Sequence, residues 1–456
     1  MTKMRNQFDN VSPVDYRYSD EESAQYLSKN GFTRYKLFVE LALVKVLERR
    51  GYCSKEIVRQ VKEACREIKT EEVYEEEEKI HHDIRALVNR IRARVQSSAV
   101  HMTATSYDII DSANAVRYKD VVEGKLISAL LQLERVLILI ALREAETIQI
   151  GRTHGQHAVP ITFGFAIAQY VSRLGGSIKA LRALVKELPG KFSGAVGAYN
   201  ASSLFFDDPE QFEKDVLAEI GLKPAEISTQ VVPPEALVRL FCEITIVAGI
   251  LANLSDDMRH LQRTEIGEVG EDFEENQVGS STMPQKRNPI NFENSKSFWK
   301  IVMPRIITIF MDQISEHQRD LTNSASGRTY GEIIAYVIST AKRLTRTMKK
   351  LTVDKENLKK NFELTKGSIM AEPLQLILSA LGHKDAHEKV RVLAIKARSE
   401  NKPLQEIALE DMEIKAYFEK MTPRQQDIIL NPSLYTGIAA KKAKQVAEHW
   451  KEKLEI

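Results

Sequence analysis

The chain has 456 residues, with 65 Lys and Arg against 63 Asp and Glu and a net charge of +2. That length can bury a large core and fill two or three domains. The near-neutral balance leaves no global field to draw nucleic acid or a membrane surface, so any basic site must be local. Cys53, Cys65 and Cys242 have neither metal-ligand nor CxxC spacing and read as ordinary buried thiols in a reducing cytosol.

The first twenty residues are polar and lack the apolar core of a signal peptide. The most apolar run, 136–142, is bounded by Glu134, Arg135 and Arg143 and is too short to cross a bilayer. Helical periodicity dominates the chain, and hairpin signals are scarce. Residues 1–110 carry shorter helices, and the acidic run Glu75, Glu76, Glu77, Glu78 reads as a solvated helix face. Residues 121–146 predict a long helix, apolar nearly all round at its middle, which requires neighbours on several sides. The stretch 160–188 predicts another. Leu237, Leu240, Phe241, Ile244, Val247, Ala248, Leu251 and Leu254 repeat at three and four and give one apolar face over many turns. Residues 290–318, with a kink at Pro304, and 329–351 complete five long helices in mid-chain, the pattern of an all-α bundle. From 357 onward shorter helices return, broken near Gly382, Pro403 and Pro423. The division is three domains: 1–110, 111–356 and 357–456.

Several clusters carry chemistry. Arg17 and Tyr18 sit in a polar stretch after Pro13. His81 and His82 are adjacent and cannot share one helical face, which argues against a helix-borne metal pair; Asp83 follows them. Between His101 and Asp108, a helix would put His101, Thr105 and Asp108 on one face. A loop would instead let Thr105 and Ser106 offer hydroxyls and backbone N–H groups to a carboxylate, and a helix cap before Ile109 is compatible with that. Residues 151–157 (Gly-Arg-Thr-His-Gly-Gln-His) lie between two long helices. The Gly194 to Gly197 segment reads as backbone close packing. Arg319, Ser324 and Arg328 cannot share a helical face at offsets of five and nine, but Thr322, Asn323 and Gly327 allow a bend between them. Two guanidiniums and a hydroxyl suit a phosphate dianion.

The most informative stretch is 279–289, Gly-Ser-Ser-Thr-Met-Pro-Gln-Lys-Arg-Asn-Pro. Prolines at 284 and 289 argue for a loop that then starts a helix, whose N-terminal N–H groups suit an anion.

This stretch resembles the signature loop of the fumarase/aspartase superfamily, Gly-Ser-Ser-x-Met-Pro-x-Lys-x-Asn-Pro, at every fixed position. The other clusters resemble the adenylosuccinate lyases within that superfamily. The resemblance implies a three-part all-α fold, a homotetramer whose active sites combine segments of different subunits, and a small-molecule nucleotide substrate. It implies elimination of fumarate from adenylosuccinate, giving AMP, and from the succinylated carboxamide ribotide SAICAR, giving AICAR. The base would be Ser280, with Ser281 the second choice, supported by Lys286. His154 would be the general acid, paired with Glu293. Thr105, Ser106, Lys286 and Asn288 would hold the succinyl carboxylates. Arg319, Ser324 and Arg328 would hold the phosphate, and Arg17, Tyr18, His82, Asp83, His101, Thr153 and Gln230 would complete the contacts.

Departures from the family pattern are Met102-Thr103-Ala104, which lacks a glycine, Pro234-Glu235 in place of Arg-Asp, and Ala325 and Gly327. The motifs call for no metal, cofactor, nucleic acid or membrane, and for a cytoplasmic protein. The rival readings are argininosuccinate lyase, a carboxymuconate cycloisomerase, or a catalytically silent helical structural protein.

Overall fold

The computed structural model describes residues 11, 12, 14, 16–18, 20–272, 281–283 and 285–456. Helices dominate them, as the periodicity requires. The long ones are Ser106–Val121, Ile127–Arg143, Phe163–Leu184, Glu235–Leu261, Ile290–Met311 and Tyr330–Lys349. The first two form one run joined by a π-helical turn, Val122–Leu126, so the helix expected from 121 begins fifteen residues earlier. Two antiparallel strands, Ile148–Thr153 and Gln156–Thr162, occupy the start of the stretch read as the 160–188 helix. Pro160 pairs with Ile150 inside them, and the helix starts only at Phe163. Helix Ile290–Met311 runs through Pro304 but ends seven residues before the expected limit of 318.

The chain divides into two compact units, neither of them a consecutive stretch. The first takes Met1–Leu131, Gly176–Leu251 and Ser297–Lys342. Its helix Lys29–Arg49 starts at Ser28, whose hydroxyl accepts the Gly31 N–H at 3.1 Å, a standard N-cap. It buries Leu37, Val39, Leu43, Val44 and Leu47, and it packs on Ser106–Val121, where Tyr35 donates to Asp120 at 2.6 Å. Tyr118 meets Phe241 edge-to-face and Phe241 meets Tyr330 at a tilt, with centroids 5.7 and 5.3 Å apart. Asp312 gathers the loop before Tyr330–Lys349: its carbonyl accepts from Asn323 at 2.6 Å and its carboxylate from Ser326 at 2.7 Å and from Tyr330. Helix Glu235–Leu261 is long and apolar enough to cross a membrane by length and composition, yet Leu240, Phe241, Ile244, Val247, Leu251 and Leu254 are all buried.

The second unit takes Gln132–Gly175, Ala252–Lys296 and Arg343–Ile456. Gly164 allows close helix contact, since a Cβ there would lie 2.4 Å from the Ala141 carbonyl oxygen. Its C-terminal helices build a core from Leu374, Leu378, Val390, Leu393, Leu404 and Ile407.

Glu134 is the exception in this unit. It is fully buried, and neither carboxylate oxygen meets a donor among the described residues. Burial alone pushes its carboxyl up to about 9, so the folded protein carries it neutral at pH 7. The unfolded chain binds fewer protons than the folded one between the ordinary carboxyl range and about pH 9. Stability therefore falls by up to about 1.4 kcal/mol per pH unit over that window. Glu134→Leu is expected to raise the melting temperature by several degrees at pH 8 and by much less at pH 5, as thermal denaturation at the two pH values will show.

Candidate active site

In the first unit, the Thr105–Ser106 pair opens helix Ser106–Val121. Thr105 is its N-cap; the Thr105 N–H donates to Asp108 at 2.7 Å and the Asp108 N–H returns to the Thr105 carbonyl at 3.1 Å. The cap is therefore realised, with Ser106 in the first turn of the helix and the Thr105 N–H bonded within the chain. His101 lies before the helix in left-handed backbone, as does Thr103 (φ 61° and 64°). The helical-face grouping with Thr105 and Asp108 therefore does not form. Instead the His101 Nδ1 sits 2.7 Å from the carboxylate of Glu40, a fully buried residue of helix Lys29–Arg49. Burial opposes the imidazolium, but the Glu40 carboxylate outweighs it and raises the His101 pKa. The sequence reading missed Glu40; its signal was a lone acid inside the apolar run Leu37 to Leu47.

His81 and His82 occupy a turn between two helices. His81 closes Thr70–Ile80 in left-handed backbone, and His82 caps Asp83–Arg92 by accepting the Arg85 N–H on Nδ1 at 3.3 Å. Asp83 lies 3.5 Å from the Lys36 ammonium. Lys36 and Arg117 both approach the Phe32 ring, at 4.5 and 4.1 Å from its centroid. Arg17 is exposed, and the Tyr18 ring meets Phe298 edge-on at 4.6 Å.

The phosphate candidates do lie on a bent segment. His317 and Arg319 have positive φ, and the Gln318 carbonyl accepts the Gln230 N–H at 3.0 Å, which ties the Thr229-Gln230 pair to this loop. Arg328 donates to the Ser324 hydroxyl at 2.9 Å. The Arg319 Nε is buried without an acceptor among the described residues.

In the second unit, His154 and Gly155 form the two-residue tip of the Ile148–Thr153/Gln156–Thr162 hairpin. Thr153 pairs with Gln156, and both tip residues have the positive φ (52° and 72°) that a type I′ turn requires. The imidazole is exposed. Glu268 fixes the hairpin from below: its buried carboxylate accepts from Arg152 at 3.1 Å, Gln149 at 2.7 Å and Asn361 at 2.9 Å. His157 stands opposite Arg152 across the strands; burial and the Arg152 charge lower its pKa.

Ser280, with Gly279 and Pro284, lies outside the described residues. Ser281 and Lys286 are exposed and Asn288 is half-buried. Helix Ile290–Met311 begins after Pro289 as expected, but its N-terminus is not open to an external anion. The N–H groups of Asn291 and Phe292 donate to Glu271 at 3.0 and 2.9 Å, and the Asn291 side chain adds a bond at 2.7 Å. The chain supplies its own carboxylate where the sequence suggested a ligand's. Glu293 is exposed on the first turn, and neither its carboxylate nor the His154 imidazole makes a hydrogen bond among the described residues.

Comparison with known proteins gives this arrangement a context. Residues 2–303 match the family described as Lyase, and residues 315–426 match Adenylosuccinate lyase C-terminal. The chain is 38% identical to an adenylosuccinate lyase of Pyrococcus horikoshii, over 97% of this chain and 98% of that one. It is 34% identical to another from Methanocaldococcus jannaschii, over 97% and 96%. Its fold matches 3-carboxy-cis,cis-muconate lactonizing enzyme from Pseudomonas putida with a TM-score of 0.84 at 24% identity, covering 96% of this chain and 99% of that chain. A fumarate lyase from Mesorhizobium matches with a TM-score of 0.82 at 22% identity, covering 94% and 98%. The fold is thus the all-α fold of the fumarase/aspartase-type lyases. Within that class the chain belongs to the adenylosuccinate lyase family and is a C–N lyase.

The His101–Glu40 pair yields a prediction. Because the folded pKa of His101 is raised, its stabilising contribution is complete below the ordinary histidine range and is lost as pH rises through the raised value. Glu40→Gln should therefore lower the His101 pKa in an NMR titration and reduce the melting temperature more at pH 5.5 than at pH 9.

Proposed function

We propose that the chain eliminates fumarate from adenylosuccinate and from SAICAR by acid–base catalysis, with Ser280 as base and His154 as acid. The first step removes a proton from carbon beside a carboxylate and gathers negative charge on that carboxylate. Thr105, Ser106 and Asn288 are assigned to receive it, since donors already in place stabilise developing charge best. Lys286 supplies the positive potential that a serine base needs. With Glu271 occupying the N-terminus of helix Ile290–Met311, the lysine carries that role without the helix. His154 protonates the departing purine nitrogen, or the corresponding amide nitrogen of SAICAR, and Glu293 of another subunit orients it. Thr153 and Gln230 contact substrate, as do His82, Asp83, His101, Arg17 and Tyr18.

The observation that carries the nucleotide reading is the loop of Arg319, Ser324 and Arg328. Neither guanidinium forms an ion pair among the described residues, and the Arg319 Nε has no acceptor there. The surroundings add positive potential: the Lys29 pKa is lowered by burial first, then by the charges of Arg328, Lys36 and Arg117. Two guanidiniums that form no ion pair of their own favour a multiply charged anion. The rival substrates of argininosuccinate lyase and the cycloisomerases carry no phosphate.

A homotetramer in the cytoplasm completes the proposal. Leu139, Ile246, Ile307 and Phe310 are exposed on long helices, apolar surface of the kind that oligomer contacts cover.

Two experiments test the reading. Arg319→Ala and Arg328→Ala should each raise the KM for adenylosuccinate by roughly 10- to 100-fold, the loss of a charge-assisted hydrogen bond, with a smaller effect on kcat. An unchanged KM in both would remove the phosphate assignment. Ser280→Ala and His154→Ala should each abolish fumarate release. Mixing the two inactive proteins under verified subunit exchange should restore part of the activity; no recovery would exclude sites shared in this way.

A further inference from the structure

The first unit holds a buried ion pair that the mechanism does not use. Lys191 and Asp108 are both fully buried. The Lys191 ammonium donates to the Asp108 Oδ1 and, at 3.0 Å, to the Gly194 carbonyl. The other Asp108 oxygen accepts the Thr105 N–H at 2.7 Å, and Oδ1 also accepts the Gly194 N–H at 3.3 Å. The Lys191 backbone is fixed as well, its N–H and carbonyl both bonded to the Ser112 hydroxyl at 3.2 and 3.1 Å.

The turn that follows is seated with equal care. Gly194 and Gly197 have φ of 82° and 79°, and a Cβ at Gly197 would lie 2.0 Å from the Ser228 carbonyl oxygen. The Ser193 and Ser228 hydroxyls are 2.6 Å apart. One buried charge pair therefore joins the Thr105 cap to the turn on which the Ser228–Thr229–Gln230 segment rests. A buried pair of this kind adds little net stability over apolar side chains of the same size, whereas it demands one geometry. What it fixes here is the backbone under the Thr105–Ser106 pair.

We propose that Lys191 is a positioning residue for the succinyl end of the substrate: through Asp108 it holds the Thr105 backbone so that Thr105 and Ser106 meet the substrate carboxylates. The inference rests on the carboxylate-binding role assigned above to Thr105 and Ser106.

The test compares inhibition by the two products, fumarate and AMP, in wild type, Lys191→Met, Asp108→Asn and the double variant Lys191→Met/Asp108→Leu. The double variant removes both charges together, so it keeps the question open should a single variant fail to fold. In variants that retain the wild-type circular dichroism, the inhibition constant for fumarate is expected to rise at least tenfold and that for AMP to change less than twofold. A folded double variant with both constants unchanged, or with both weakened in parallel, would overturn the proposal. Thr105→Ala and Ser106→Ala in the otherwise native protein separate the two ideas. If they weaken fumarate inhibition while the Lys191 and Asp108 variants do not, the positioning role alone falls. If they leave fumarate inhibition unchanged, the carboxylate-binding role falls and the positioning role with it.

Discussion

A carboxylate removed from water must be met by donors or give up its charge, and this constraint organises the functional parts of the chain. Asp108 is met by Lys191 and the N–H groups of Thr105 and Gly194. Glu268 is met by Arg152, Gln149 and Asn361. Glu271 is met by Asn291 and Phe292, and Glu40 by His101. Each of these acids fixes a segment that carries an expected site residue: the Thr105 cap, the His154 hairpin, the helix that follows the signature loop, and His101 itself. Glu134 shows the alternative outcome, a buried acid with no donors that stays protonated.

The pairing of Glu268 and Glu271 has a further sense. They lie three residues apart on either side of the short strand Val269–Gly270, which pairs with Thr352–Val353. One receives the hairpin that ends in His154, the other the helix that begins after residues 279–289. A short, well-anchored piece of chain thus serves as the common support for the hairpin that bears His154 and the helix that bears Glu293.

The long helices were legible because their apolar residues recur with the helical period over many turns, and the signature loop because its pattern is long and fixed. What escaped was set by contacts distant in sequence. The hairpin overlaps the start of the stretch that predicts a helix over 160–188, because in a two-stranded ribbon a proline such as Pro160 is at home on an outer edge. The loop conformation of His101 depends on Glu40, sixty-one residues away. The helix at Ile290 looked open to an anion because nothing in the local sequence announces that Glu271 folds back onto it. The compact units combine three separated segments each, a grouping that periodicity, which is local, does not reveal.

The tip of the hairpin carries one more consequence. Position 154 must adopt left-handed backbone to close a two-residue turn, and among residues with a side chain Asn, Asp and His tolerate that conformation best. Of these, only histidine titrates near neutrality. Conformation and chemistry therefore select the same residue independently. A lineage that lost the reaction would remain confined at this position to the few residues that can still turn the chain, so a silent descendant would bear asparagine or aspartate here far more readily than valine or isoleucine.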